Sequence, residues 1–233
     1  SHSPAELVKK LKTKLGCQYV NGFGMCEGPV TQTRLYDPDP VIENTIGIPC
    51  CPYDDFKIMD EEGNILPPGK EGELVAKGPG VFTGYLKAEA ENAKAFTSDG
   101  YFRTGDMAKI NEQGNIIITG RIKDIIIRGG ENISAVEVEE ALVRHPDIEQ
   151  ASAVGMPDKE MGERVCAFIK TKDGKKLSLE EVVDFLKRDK VSVLLIPERI
   201  ELIDNFPLTK AEKIDKKVLR EMIKIKLQQE GKL

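Results

Sequence analysis

The chain has 233 residues, 40% of them hydrophobic and 31% charged, with a net charge of -5, enough to bury proper cores and to divide into two or three compact units. A mixed, mildly acidic surface excludes a general nucleic-acid binder, which needs a basic footprint to displace counterions. The longest apolar run, Val165–Ile169, is too short for a transmembrane span or a signal-peptide core, so a cytoplasmic location is expected.

Ser1-His2-Ser3, with no leading Met, reads as a cloning remnant on a piece of a longer protein. Leu7, Val8, Leu11 and Leu15 recur at helical spacing, and Gly16 ends the pattern as a cap. A strand over Cys17–Val20 is expected to run into NGFGMCEG (21–28), a glycine-punctuated loop that lets backbone approach a ligand. From Ile48 to Thr119 short alternating segments (FKIMD, GELVAKG, YFRTGDMAKI, NIIITG) are separated by Gly/Pro/Asn turns, the pattern of an antiparallel sheet or a small distorted barrel.

After Arg121 strands alternate with helices. GRIKDIIIRGGENISAVEVE (120–139) sets Arg121 and the Lys123-Asp124 pair before a strand expected to be buried, then a double-Gly turn opening a capped helix. Ser134 with Glu137, and Ser178 with Glu181, have capping-box spacing over helices bearing Ala135, Val138 and Leu142, and Leu179, Val182, Val183 and Leu186. Strands are expected near 149–155, 164–171 and after Pro197. A third helix from Asp215 is expected to bury Val218, Leu219, Met222 and Ile223. The fold class is α+β, with a small antiparallel β subdomain followed by a C-terminal α+β domain having a short sheet and about three helices.

The five cysteines include no C-x-x-C pair and only two His are available, so neither a disulfide framework nor a zinc site is indicated. Two nucleotide motifs fail on inspection. GNILPPGK (63–70) has one residue too many between its glycines for a phosphate loop, and Glu71 replaces the magnesium-binding hydroxyl, so it reads as a hairpin turn. GFGMCE carries Glu27 where a dinucleotide fingerprint has its third glycine.

Four segments in fixed order, NGFGMCEG (21–28), YFRTGD (101–106), GRIKDIIIRGGENISAVEVE (120–139) and FPLTKAEKID (206–215), together resemble the adenylate-forming superfamily of acyl- and aryl-CoA synthetases, aryl-AMP ligases, adenylation domains and luciferases. FGMCEG, TRLYDPD and GYLKAEAENAKAFTSDGYFRTGD are most similar to the 2,3-dihydroxybenzoate-AMP ligase branch. The resemblance implies that residues 1–47 end a large N-terminal adenylation domain, 48–121 form the β subdomain and 122–233 form a mobile C-terminal domain, with a hinge near Lys123.

Site residues follow from the same resemblance. Asn21, Gly22, Phe23, Gly24 and Cys26 line the ATP/AMP site, with the Phe23 ring stacking on adenine. Glu27 helps hold Mg2+ as a hard oxygen ligand. Asp106 accepts both ribose hydroxyls, and Arg121 offers a permanently charged fork to ribose and phosphates. Gly129 and Gly130 line the thiol tunnel, and Lys213 is the catalytic cation between carboxylate and α-phosphate. Each has a plain alternative: Phe23 a core aromatic, Asp106 a turn cap, Arg121 a surface ion pair, Gly129-Gly130 a tight turn, Lys213 a solvated lysine. Three departures from the family pattern stand out: Cys26 replaces a Thr, Glu212 a Gly, and Leu194-Leu195 a Tyr-Lys.

The implied activity is ATP-dependent carboxylic acid:CoA ligation through an acyl-AMP, with ATP, Mg2+ and CoA required. The alternatives are a stand-alone aryl-AMP ligase delivering to a phosphopantetheinyl carrier protein, and a non-catalytic module of the same fold. The partners implied are a small carboxylic acid, ATP and a thiol donor. The upstream phosphate loop of the family does not precede NGFGMCEG here, so this piece alone is expected to be inactive.

Overall fold

The computed structural model describes residues 5–233; Ser1-His2-Ser3, expected above to be a remnant, lies outside the described residues. The chain divides into two compact units between Ile122 and Lys123.

The first unit contains α1 (Ala5–Leu15), β1 (Gly22–Gly24), β2 (Val30–Gln32), α2 (Asp39–Asn44), β3 (Ile48–Pro49), β4 (Asp55–Met59), β5 (Glu71–Lys77), α3 (Glu89–Ala95), β6 (Phe102–Ile110) and β7 (Ile116–Arg121). Helix α1 ends as the sequence indicates: Gly16 takes φ 61° and its N–H donates to the Lys12 carbonyl at 3.1 Å. Cys17–Val20, however, is not a strand. The strand lies on the glycines themselves, β1 pairing antiparallel with β2 and β2 with β3. Polar anchors override the short apolar run. Asn21 Nδ2 donates to the Thr45 carbonyl (2.9 Å), Thr33 Oγ1 accepts from Asn21 N (2.8 Å), and Thr31 Oγ1 donates to the Ile46 carbonyl (2.8 Å). All three side chains are buried, so each would cost free energy if left unpaired.

Strands β4-β5-β6-β7 form a four-stranded antiparallel sheet in sequence order, which stays open rather than closing into a barrel. Alternation puts Phe56, Ile58, Leu74, Ala76, Ala108 and Ile116 on one face, where they join Ile46 in a common core. GNILPPGK is the loop between β4 and β5. Asp60 Oδ1 accepts from Asn64 N at 2.7 Å, a side-chain turn of the kind Asp favours.

The second unit follows a 3-10 turn at Ile122–Asp124 and contains β8 (Ile125–Arg128), β9 (Glu131–Ser134), α4 (Ala135–Leu142), β10 (Ile148–Asp158), β11 (Gly162–Thr171), α5 (Leu179–Arg188), β12 (Arg199–Leu202) and α6 (Lys216–Gln229). The sheet order is β10-β11-β8-β9, with β12 parallel to β11 and the other pairs antiparallel. The sheet is covered on both faces. Ala151, Ala153, Val165, Ala167 and Ile169 meet α4 and α5, while the alternate positions Val154, Met156, Cys166 and Phe168 meet α6.

Two expectations change here. β8 is buried on one side only, with Ile126 at 1% and Ile127 at 55% exposure, and β9 stands between the double glycine and the helix. Helix α6 buries Leu219, Ile223 and Leu227, leaving Val218 and Met222 each 41% exposed. An i, i+4, i+8 ridge reaches the sheet, so the apolar stripe is narrower and runs further than the sequence suggests. Among the described residues no helix is long and apolar enough to cross a membrane.

Candidate functional site

The glycine-rich segment at 21–28 is a hairpin whose tip is pinned to residues 80–85. Gly28 takes φ 107°, and a Cβ there would run into the Gly80 carbonyl, so only glycine permits this approach. Phe82 N donates to the Glu27 carbonyl at 2.8 Å, and Tyr85 Oη donates to Glu27 Oε1 at 2.9 Å. The carboxylate beside the Tyr85 hydroxyl raises that phenol's pKa. Glu27 is half-buried with a fixed carboxylate, and Cys26 beside it is exposed. Phe23 is half-buried, its ring packed against the core of the four-stranded sheet. Gly22 and Gly24 flank it with exposed backbone, while Asn21 is buried and serves the hairpin's own hydrogen bonds.

Asp106 and Arg121 face each other across β6 and β7. Arg121 Nε donates to Asp106 Oδ1 at 2.8 Å; the carboxylate is buried and the guanidinium half-exposed. The RTGD segment is locally irregular: Gly105 takes φ 70°, and the β5–β6 register shifts between Glu73 and Val75. That bulge is held by Thr104 Oγ1 donating to the Leu74 carbonyl (2.7 Å) and Gly105 N donating to Glu73 Oε1 (3.2 Å). Glu73 in turn pairs with Arg103 at 3.1 Å. A bulge that re-aims a carboxylate beside an arginine makes an acceptor next to a cation, suited to hydroxyls that lie close to a phosphate.

In the second unit Gly129 and Gly130 occupy the β8–β9 turn with φ 60° and 90°, and Gly129 N donates to the Met161 carbonyl at 2.8 Å. Two consecutive positive φ values define a turn that favours glycine. Lys213 is exposed on a tight turn. Thr209 N donates to its carbonyl (2.7 Å) and Thr209 Oγ1 accepts from its N–H (3.3 Å). Lys123 is also exposed, with its carbonyl taken by Arg220.

Arg121 with Asp106, and Glu27 with its neighbours, belong to the first unit; Lys123, Gly129, Gly130 and Lys213 belong to the second. Sequence reasoning missed Tyr85 and Arg220. Tyr85 lies 58 positions from Glu27 and Arg220 lies 97 from Lys123, and no local pattern marks either pairing. Among the described residues no group of three or more His, Cys, Asp or Glu is placed to hold a metal. A lone fixed carboxylate such as Glu27 fits a magnesium ion that takes its other oxygens from substrate phosphates and water.

Residues 1–86 match the family model of the AMP-binding enzymes, and residues 137–213 match that of the AMP-binding enzyme C-terminal domain. The chain is 43% identical to the 2,3-dihydroxybenzoate-AMP ligase of Bacillus subtilis (strain 168), over 96% of its own length and 41% of the ligase's. It is 42% identical to a salicylyl-CoA synthase / salicylate adenylyltransferase of Streptomyces sp, over 94% of its length and 40% of that protein's. Among solved structures, ATP-bound MatB from Rhodopseudomonas palustris superimposes with a TM-score of 0.88 at 29% identity, covering 95% of this chain and 44% of MatB. The chain thus spans about two fifths of the length of these relatives. Two AMP-binding models matched in order, with relatives aligned along nearly the whole chain, place it in the adenylate-forming superfamily, on the 2,3-dihydroxybenzoate-AMP ligase branch.

Proposed function

We propose that the whole protein activates an aromatic carboxylic acid with ATP. The observation that carries this is the buried Asp106 carboxylate paired with Arg121 on the bulged β6, in a chain 43% identical to a 2,3-dihydroxybenzoate-AMP ligase. Asp106 accepts the ribose hydroxyls, and Arg121 holds Asp106 while leaving its other nitrogens to the phosphates. The exposed face of Phe23 stacks on adenine, with the backbone of Asn21, Gly22, Gly24 and Cys26 alongside. Glu27 would supply one oxygen to Mg2+, which would neutralise phosphate charge there.

The acid's carboxylate attacks the α-phosphorus, pyrophosphate departs, and an acyl-AMP mixed anhydride results. Lys213 meets the charge that accumulates between carboxylate and α-phosphate. A thiolate then attacks the acyl carbon past Gly129-Gly130, and AMP leaves. Presenting Lys213 and then the glycine turn requires two poses of the second unit, with Lys123 as the pivot.

CoA as the thiol matches the Streptomyces relative named a salicylyl-CoA synthase. A phosphopantetheinyl carrier protein is the second reading, favoured by the exposed Leu194, at one of the two positions where the family pattern has a Tyr-Lys, and by the exposed Val193 beside it.

Acid-dependent exchange of pyrophosphate into ATP by the full-length protein tests the first step. Lys213→Ala is expected to lower it by about 10² to 10³. Unchanged exchange would instead favour a non-catalytic role for this unit. Single-turnover transfer to CoA or to carrier protein then separates the two thiol readings.

A further inference from the structure

Arg220 lies early in α6, between the fully buried Leu219 and the turn bearing the fully buried Ile223, so its backbone is fixed to the second unit's core. One nitrogen of its guanidinium, Nη2, donates both to the Lys123 carbonyl at 2.9 Å and to Asp124 Oδ1 at 2.8 Å. The Asp124 side chain is 12% exposed and that of Arg220 35%. This double contact holds the peptide plane joining Lys123 to Asp124, and a peptide plane moves as one rigid piece. The first backbone torsions that remain outside the clamp, counting toward the first unit, are the φ and ψ of Lys123. That is where the chain divides into its two units.

We infer that Arg220 is a positioning residue for the pivot: it fastens the Lys123–Asp124 peptide to α6 and so confines rotation between poses to the two torsions of Lys123. The inference rests on the hinge role proposed above for Lys123. A pivot with two free torsions has few ways to misplace the unit it carries, whereas a loosened one must search a wider set of conformations before either pose is reached. Arg220 touches neither substrate nor reacting atoms in this account, and acts only through the backbone it holds.

The test uses the full-length protein and its Arg220→Ala and Arg220→Lys variants. With Arg220→Ala, backbone hydrogen exchange over residues 122–126 is expected to quicken about tenfold, as for loss of a charge-assisted hydrogen bond. Exchange within α6 should be unchanged. KM for ATP and acid should stay within about twofold while single-turnover thiol transfer from preformed adenylate falls about tenfold, the pattern of a slowed conformational step. Arg220→Lys, able to keep one of the two contacts, should fall between. Unchanged exchange over 122–126 in Arg220→Ala would overturn the inference, as would a loss confined to KM. Lys123→Pro, which freezes one pivot torsion, separates the two ideas. If it leaves both steps intact, the hinge reading fails and the inference with it. If it blocks transfer while Arg220→Ala is silent, only the role of Arg220 falls.

Discussion

Glu212 occupies the left-handed region at φ 58°, where a side chain costs on the order of 1–2 kcal/mol relative to right-handed geometry. The family pattern has glycine at this place, and the backbone accounts for it: left-handed Glu212 sits inside the turn that Thr209 N closes onto the Lys213 carbonyl. Glutamate is thus accommodated in the turn that carries Lys213, at a cost in strain. The cysteines divide as sharply. Burial pushes the Cys166 thiol up to about 12, whereas Cys17, Cys26 and Cys50 are exposed. Since the thiolate is the reactive form, an aromatic disulfide reagent near pH 8 should modify those three in the folded chain. Cys166 should react only after denaturant is added, and mass mapping of labelled peptides checks this.

The end of α6 is tied to β12 by charge. Arg199 forks onto Glu230, with Nη1 to Oε2 at 2.9 Å and Nη2 to Oε1 at 2.6 Å, and its Nε donates to Glu201. Lys226 completes the group through Glu201. The Arg199 guanidinium, followed by the Lys232 ammonium, holds the Glu230 carboxyl down from its ordinary 4.5 to about 2. A depressed carboxyl contributes stability that is fully present above its unfolded value and lost as pH falls through its folded one. The last turn of α6 should therefore lose protection between pH 4.5 and about 2, and Glu230→Gln should remove that dependence; amide exchange of the α6 C-terminus against pH measures it.

At the level of elements, much was legible in the sequence. Ser178 and Glu181 form a complete capping box, and Ser134 accepts from Glu137 N at 3.4 Å, as their spacing indicates. Strands β4 to β7 and β10 to β12 fall where alternation and turns put them. Helices α2 and α3 were not readable: one is six residues long behind Pro38, and the other buries none of its residues, so neither has a periodic apolar face to detect. Asp106 and Arg121 were legible as candidates because their motifs are local. Their mutual contact, like that of Tyr85 with Glu27, depends on strand register and loop packing that no short window contains.

Among the described residues, each hydrophobic core cluster is drawn from one unit alone. Multi-domain chains commonly depart from two-state melting, so calorimetry of residues 1–233 should give a van't Hoff enthalpy well below the calorimetric one, at a ratio of about 0.5 when each unit melts as its own cooperative step. A ratio near one would mean that the units melt together.

One arrangement in the second unit bears on how it is made. Val154, Met156, Cys166 and Phe168 wait for Leu219, Ile223 and Leu227 to cover them, so during synthesis that greasy surface stays naked until the ribosome has delivered α6. The nascent second unit is thus exposed to sticking in the interval between the synthesis of β11 and that of α6, when a holding chaperone has that surface to protect.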